Sequence, residues 1–264
     1  MNDFTFHRPQ DVAGAVAIVK KAPEGKYLGG GQSLLPVMKL GLATPTDLVA
    51  LAAVAALKGI RVEGKELVVG AGTTHAEVAA SAEVRRVLPG LAELAAHIGD
   101  AQVRNRGTLG GSLAHDDPAA DYPAAVLALG ATVQTDRRAV PSDAFFLGLY
   151  QTALQRDEVI TAVRFPIPEK AAYAKFPHPA SRFALVGVMV ANGPAGVRVA
   201  VTGAGPGVYR AAELEKALGG RFSAAALETV QPSAAGLTSD AFGSAEYRAH
   251  LVGVLARRAV AACG

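Results

Sequence analysis

The first fifty residues alternate short apolar runs with amphipathic segments in a regular order. The run at 4–8 alternates polar and apolar side chains and stops at Pro9, which is typical of a short strand. Asp11 can cap the helix that follows, because apolar residues recur three and four apart from Val12 to Val19. The predicted elements are strands at 4–8, 27–28 and 47–51 and helices at 12–21 and 34–40. This order predicts a small parallel β-α-β-α-β unit.

After this unit the pattern changes to strands and turns with helices between them. The segment 60–70 predicts a hairpin that turns at Gly64. Further strands are predicted at 131–135, 137–141, 158–165, 183–191 and 197–202, and further helices at 75–80, 91–98, 213–218 and 245–263. The segment 166–179, which carries prolines and lysines, predicts a boundary or crossover. No fixed-period repeat accompanies these elements.

Composition places the chain among globular proteins. It has 264 residues, 50% of them hydrophobic, which suits one large domain or two. The net charge of +3 comes from acids and bases mixed along the chain without a basic stripe, so we expect no nucleic-acid partner. The single cysteine, Cys263, excludes a disulfide framework or a cysteine-ligated cluster within this chain and favours a cytoplasmic protein. We expect no secretory signal, and no apolar run is long enough to span a bilayer.

One stretch, 107–123, concentrates chemistry that no core element requires. It holds three glycines, two aliphatic hydroxyl side chains, a histidine and three aspartates in seventeen residues. Glycines let a ligand approach backbone N–H groups closely, and successive N–H groups can bind an anion. The stretch therefore predicts a phosphate-binding loop with a carboxylate downstream that accepts from ligand hydroxyls. Its candidate binding residues are Thr108, Gly110, Gly111, Ser112, His115, Asp117 and Asp121.

Another glycine segment, 29–33, joins a predicted strand to a predicted helix. Because it comes earlier in the chain, we call 29–33 the first segment and 107–112 the second segment. N–H groups at a helix N-terminus bind phosphate, although a flexible tight turn explains the glycines equally well. The segment is neither a P-loop nor a Rossmann fingerprint, because no Gly-Lys-Ser/Thr follows and the glycines are contiguous. The presence of two such segments suggests that they bind the two ends of a diphosphate. Asp121 could then accept a hydrogen bond from a ribose or ribityl hydroxyl. In the alternative, Asp116, Asp117 and Asp121 only cap turns.

Other candidates carry weaker signals. His115, Asp117 and Asp121 could ligate a metal, but no second histidine or cysteine cluster accompanies them, so we expect no metal site. His115 could act as a general base, yet no nucleophile motif accompanies it and we assign no catalytic residue. The segment 203–207 imitates a dinucleotide fingerprint, but its third glycine falls too early and a proline removes a donor, which favours a structural turn. Lys175 could reach a ligand anion or lie in solvent.

Three stretches resemble one family. Residues 29–39, 106–121 and 245–259 are similar to the two FAD motifs and the C-terminal helix of the flavoprotein (medium) subunits of molybdenum hydroxylases. This group includes bacterial carbon monoxide dehydrogenase and relatives of xanthine dehydrogenase. The similarity extends over essentially the whole chain. Aromatic-thioester reductase relatives carry several cluster-binding cysteines in this subunit, and the single cysteine argues against that branch.

The resemblance implies an α+β flavoprotein of two domains. Residues 1–170 would form an FAD-binding domain of the vanillyl-alcohol-oxidase type, with a parallel subdomain at about 1–55 and a larger mixed sheet at about 56–170. Residues 171–264 would form a C-terminal domain of the carbon monoxide dehydrogenase flavoprotein type, an antiparallel sheet with helices. The implied cofactor-binding residues are Lys26, Tyr27, Leu28, Gly29, Gly30, Gly31, Gln32, Ser33, Leu34, Ile98, Thr108, Gly110, Gly111, Ser112, His115, Asp117, Asp121, Ile160 and Lys175.

The resemblance also implies a multi-subunit enzyme. A large subunit with a molybdopterin cofactor would hydroxylate the organic substrate, and a small subunit with two [2Fe–2S] clusters would relay electrons to the FAD of this chain. The implied assembly is a dimer of heterotrimers, in which this chain alone is inactive toward the organic substrate. A different class of function stays open, namely a free-standing nucleotide-binding or scaffold protein without a redox role.

Overall fold

The first fifty residues form the small parallel sheet that the sequence predicts. The computed structural model describes residues 2–263. The elements are β1 (Thr5–His7), α1 (Val12–Lys21), β2 (Gly25–Leu28), α2 (Leu34–Lys39) and β3 (Asp47–Ala50). Strand β3 lies between β1 and β2 and runs parallel to both. Asp11 caps α1 by accepting from the N–H of Gly14 at 2.7 Å. We call residues 2–50 the small lobe.

A five-stranded sheet with helices follows, and we call residues 60–166 the large lobe. Its elements are β4 (Ile60–Glu63), β5 (Glu66–Gly70), α3 (His75–Ala80), α4 (Ala82–Val87), α5 (Pro89–Ala96), α6 (Ala101–Arg104), α7 (Leu109–His115), α8 (Tyr122–Ala128), β6 (Thr132–Thr135), β7 (Ala139–Pro141), β8 (Phe146–Gly148), β9 (Gln151–Thr152) and β10 (Ile160–Pro166). The strands pair in the order β4-β5-β10-β6-β7, and every neighbouring pair is antiparallel. The expectation of a mixed sheet is therefore wrong. Strands β8 and β9 form a separate hairpin.

Residues 170–263, the C-terminal region, form an antiparallel sheet with two helices. Its elements are β11 (Lys170–Pro177), β12 (Ala184–Gly193), β13 (Gly196–Thr202), β14 (Tyr209–Arg210), α9 (Ala212–Gly220) and α10 (Ala245–Ala262). One face of the sheet adds Tyr173 and Met189 to the core of the large lobe, while Val188 and Val190 pack with Leu255 of α10 on the other. Burial on both faces explains why β12 is a nearly continuous apolar run. Across residues 2–263, no helix is long and apolar enough to cross a membrane.

Two segments fold differently from the sequence-based expectation. The stretch at 107–123 contains α7 and the start of α8, and is not one continuous loop. Thr108 caps α7 by accepting from the N–H of Gly111 at 3.2 Å, and Leu109 and Leu113 are fully buried. The segment at 166–179 is mostly strand β11, because pairing with β12 outweighs its prolines and lysines.

The turn between α7 and α8 is fixed to the C-terminal region. The carbonyl of Pro118 accepts from the N–H of Gly203 at 2.8 Å, and the carbonyl of Ala119 accepts from the N–H of Ala184 at 3.3 Å. These bonds place Asp121, which follows directly, at the junction of the large lobe and the C-terminal region.

Candidate cofactor-binding site

The two glycine segments meet where the small lobe contacts the large lobe. A Cβ atom placed on Gly30 would lie 2.1 Å from the carbonyl oxygen of Arg106, so only glycine fits there. A Cβ atom on Gly29 would lie 3.0 Å from Oγ1 of Thr108 and 3.7 Å from Cα of Gly111. The backbone of the first segment therefore packs directly against the second, although about eighty residues separate them in the sequence.

Unpaired backbone donors line the first segment. In the described residues 2–263, the N–H groups of residues 30–34 donate to no other protein atom. The first helical bond of this turn runs from the N–H of Leu35 to the carbonyl of Gly31 at 3.2 Å. Ser33 precedes α2 and makes no side-chain capping bond. Consecutive free N–H groups ahead of a helix form an anion-binding concavity.

The second segment uses its N–H groups within the protein. Leu109 and Gly110 donate to backbone carbonyls of the turn at 71–73, at 3.1 and 2.8 Å, and Gly111 donates to the hydroxyl of Thr108. The expectation that this segment is a loop rich in free N–H groups is therefore wrong. Gly110 and Gly111 lie in the first turn of α7, and Gly110 allows this turn to pack closely against Ala71.

Gly110 and Gly111 have opposite surroundings. A Cβ atom on Gly110 would lie 2.6 Å from the Cβ of Ala71, so Gly110 is a packing glycine inside the large lobe. Gly111 is exposed, and a Cβ atom there would meet only the hydroxyl of Thr108, at 2.9 Å. The second segment therefore presents hydroxyls and one open glycine to the cleft.

Asp121 forms a buried polar cluster at the junction with the C-terminal region. Its carboxylate accepts from the hydroxyl of Tyr173 at 2.6 Å and from the ammonium of Lys175 at 2.9 and 3.0 Å. The side chains of Asp121 and Lys175 are each 4% exposed. Lys175 also donates to the carbonyl of His97 at 3.1 Å, next to Ile98. Burial raises the pKa of Asp121, and the Lys175 cation opposes that shift.

Family models cover both parts of the chain. Residues 2–168 match the FAD binding domain in molybdopterin dehydrogenase, and residues 171–263 match the CO dehydrogenase flavoprotein C-terminal domain. The chain is an FAD-binding medium subunit of the molybdenum hydroxylase family. It is therefore a subunit of an oxidoreductase, and its cofactor is FAD.

The similarity to known proteins extends over nearly the full length of this medium subunit. The carbon monoxide dehydrogenase medium chain of Hydrogenophaga pseudoflava is 36% identical over 97% of this chain and 96% of that protein. The nicotine 6-hydroxylase medium subunit of Paenarthrobacter nicotinovorans is 36% identical over 98% of this chain and 96% of that protein. The structure of reconstituted CO dehydrogenase from Oligotropha carboxidovorans matches with a TM-score of 0.91 at 34% identity, covering 99% of this chain and 98% of that one.

The residues of the cleft fit a diphosphate-containing cofactor. Free N–H groups at 30–34 face the hydroxyl side of the second segment across a glycine contact. Neither 29–34 nor 108–112 contains an acidic side chain that would repel a phosphate. These free N–H groups are therefore donors of the kind that bind the negative charge of a diphosphate.

Some candidate residues of the medium subunit have other partners. The hydroxyl of Tyr27 donates to the carbonyl of Asp157 at 2.9 Å, so this side chain joins the two lobes. Ile160 is 4% exposed and belongs to the core of the large lobe. The remaining first-segment candidates are exposed (Lys26, Gln32) or partly buried (Leu28, Gly29, Gly30, Gly31, Ser33, Leu34), and Ser112 is also partly buried.

The metal alternative finds no support in the geometry. The His115 ring lies 5.1 Å from the ring of Tyr150, Asp117 accepts from the N–H of Ala119 at 2.8 Å, and Asp121 is bonded elsewhere. Within residues 2–263, no group of three or more histidine, cysteine, aspartate or glutamate side chains could hold a metal. The bond from the N–H of Ala119 to Asp117 agrees with the alternative in which this aspartate caps a turn.

A buried histidine, His75, packs against Gly107 at the start of the second segment. The N–H of His75 donates to the carbonyl of Gly107 at 3.0 Å, and its Nε2 would lie 2.5 Å from a Cβ atom on Gly107. Its Nδ1 and the hydroxyl of Tyr122 are buried without partners, and the two rings are 5.3 Å apart. Burial lowers the pKa of His75 to about 4, with a smaller contribution from Arg104. The ring is therefore neutral at pH 7.

The stability of the chain should fall more steeply in acid because of His75. The folded pKa lies below the ordinary value, so between about pH 6.5 and pH 4 the unfolded chain binds a proton that the folded chain does not. This contribution is complete above pH 6.5 and costs about 3 kcal/mol by pH 4. His75→Gln and His75→Phe should flatten the curve of unfolding free energy against pH, measured in urea. Curves parallel to wild type in both variants would contradict the assignment.

Sequence reasoning missed three residues that shape this site. Tyr173 lies two positions from Lys175 on β11, so both side chains point to the same face. The alternation that pairs them is present in the sequence of 170–177, although the prolines and lysines around it favour a boundary. Arg106 acts through its backbone carbonyl, and His75 acts through a long-range contact. Neither leaves a local signal in one sequence.

Proposed function

We propose that the FAD of this medium subunit receives electrons from [2Fe–2S] clusters of a partner subunit and passes them to an external acceptor. The chain has one cysteine, too few to ligate such clusters, so the clusters belong to another chain. When bound, the flavin supplies the redox chemistry, while the protein supplies position and electrostatics.

The observation that carries this proposal is the contact between the two glycine segments beside the free N–H groups of residues 30–34. These donors would bind the diphosphate from the small lobe. From the large lobe, the hydroxyls of Thr108 and Ser112 and the open side of Gly111 would face it. Asp121 would accept from a sugar-like hydroxyl, since a carboxylate has further acceptor positions beyond its bonds to Tyr173 and Lys175. Ile98, Ile160 and Lys175 would lie near the flavin or adenine ends.

The proposed partners are a molybdopterin-containing large subunit and a [2Fe–2S] small subunit, in a dimer of heterotrimers in the cytoplasm. The names of the similar proteins as medium chains and medium subunits support this arrangement. We also propose that the domain boundary lies at residue 170 and that residues 1–170 are of the vanillyl-alcohol-oxidase type. A small parallel sheet that is separate from the larger sheet supports the latter.

Purification of the tagged chain from its own cells tests the function. We expect an iron- and molybdenum-containing complex with flavin absorbance, whose flavin is reduced by the organic substrate only when the partner subunits are present. A chain that elutes alone, carries no flavin and takes up no added FAD would favour the free-standing nucleotide-binding or scaffold alternative. Turnover of a hydroxylation substrate by the chain alone would also refute the proposal.

A further inference from the structure

A cavity of about 380 Å³ opens beside the C-terminal end of α7. Three segments form its walls: the hairpin residues 146–148 and the loops 205–209 and 235–237 of the C-terminal region. Asp116 lines the cavity together with them, and none of the lining residues is basic. The cavity is distinct from the cleft between the glycine segments, because no residue of 29–34 or 107–112 lines it.

Asp116 is a buried carboxylate without a partner. The residue is 3% exposed. Its carboxylate makes no hydrogen bond or ion pair within residues 2–263. Its backbone is left-handed, with φ 48° and ψ 50°, and ends α7. Burial raises the pKa of this carboxyl to about 7, and the neighbouring charge of Asp117 adds to the shift. The ionised form of a buried carboxyl without a partner destabilises the fold, so a cation from outside the chain would stabilise that form.

The rim of the cavity exposes large apolar side chains. Leu147, Leu149 and Tyr150 are 62%, 55% and 54% exposed, and all three lie at the tip of the β8–β9 hairpin. Tyr150 has a left-handed backbone, with φ 55°, and its ring packs 5.1 Å from the ring of His115 at the end of α7. An apolar tip held in a strained conformation beside a cavity is typical of an interaction surface.

We propose that this cavity and the hairpin tip, residues 146–150, dock another subunit of the complex, which places an arginine side chain against Asp116 and apolar side chains on Leu147 and Leu149. We call this surface the docking face. It deepens the proposed function, on which it rests for the existence of partner subunits.

Arginine matches the docking face better than other cations. Its planar guanidinium can bond the carboxylate of Asp116 with two donors and offer the others to carbonyls of the glycine-containing walls. Arginine surrounded by apolar contacts is also a frequent centre of protein interfaces. A metal ion fits poorly, because no second carboxylate, histidine or cysteine lines the cavity.

The variant Asp116→Asn separates docking from folding. Asparagine keeps the size of the side chain and tolerates the left-handed backbone, while it removes the charge. We expect the isolated full chain to melt at a higher temperature, and the recovery of partner subunits with the tagged chain to fall at least tenfold on dilution. Unchanged partner recovery would overturn the proposal, whatever the melting temperature does.

The hairpin tip has a matched control in the small lobe. Leu149→Asp should also lose partner subunits, whereas Leu42→Asp, at a position that is 76% exposed, should keep them. Equal loss in both variants would overturn the proposal, because the effect would then not be specific to the docking face.

The partner residue can be located by cross-linking in the purified native complex. With Leu147 replaced by photoreactive benzoylphenylalanine, we expect a cross-link to a peptide of another subunit that carries an arginine. Asp116→Arg should then break the complex, and exchanging that arginine for aspartate should restore it. A cross-link to a second copy of this chain, or no rescue, would overturn the docking face. A wild-type chain that brings down no subunit would refute the proposed function as well.

Discussion

The variant Gly111→Glu should lose its FAD and keep its fold. Gly111 is the third residue of α7 after its cap Thr108, and glutamate at that position completes a capping box with threonine. The added carboxylate also favours the helix N-terminus. The side chain starts at the cleft, where its Cβ atom meets only the hydroxyl of Thr108, at 2.9 Å, and it places a negative charge opposite the free N–H groups of residues 30–34. We expect the FAD content of the purified complex to fall at least tenfold.

Gly111→Gln is the matched control for this experiment. Glutamine has the same length and also completes a capping box, but it carries no charge. It should therefore retain much more FAD than the glutamate variant, while both unfold in urea at or above the wild-type midpoint. Equal FAD content in wild type and the glutamate variant would show that the diphosphate lies elsewhere. Gly110 gives no clean test, because a side chain there would clash with Ala71 and disturb folding.

The variant Lys175→Met should destabilise the FAD-free chain by about 4 kcal/mol, since it leaves a buried carboxylate without its cation. Asp121 would keep only the hydroxyl of Tyr173 as a donor. Burial already raises the pKa of Asp121, and loss of the lysine raises it further. A raised carboxyl pKa gives stability at low pH that is lost as the pH rises, so the penalty should be smaller near pH 4 than at pH 7.

The double variant Asp121→Asn with Lys175→Met is the control for the second prediction. Removing both charges leaves no uncompensated carboxylate, so most of the lost stability should return. Urea unfolding of the wild type, Asp121→Asn, Lys175→Met and the double variant gives the coupling energy between the two side chains. A double variant as unstable as Lys175→Met alone would show that the lysine stabilises through its packing and not through Asp121.

Local signals predicted most of the elements. Asp11 and Thr74 cap helices where the sequence places them, and Thr74 forms a full capping box with Glu77. Gly64 turns the first hairpin with a φ of 60°. The parallel order of the small lobe follows from short strands alternating with helices. These features depend on residues close in sequence, so one chain is enough to identify them.

The sequence-based predictions that are wrong concern segments whose structure depends on contacts between distant residues. Gly110 and Gly111 indicated a loop, yet buried leucines and a threonine cap make the segment helical. The free donors lie in the first segment and not in both, because those of the second are bonded to the turn at 71–73 and to the hydroxyl of Thr108. The pairing of Asp121 with Tyr173 and Lys175 joins residues more than fifty positions apart. No local pattern encodes such a pair.

The close contact at Gly30 has a kinetic consequence. A cofactor in the proposed site would lie between the small lobe and the large lobe and would leave when the lobes separate, which also breaks the bond from Tyr27 to Asp157. Opening of this kind is slower than side-chain motion. In the proposed site, the residence time of the cofactor would depend on how often the lobes part, and one FAD molecule would stay bound through many of the proposed rounds of electron transfer.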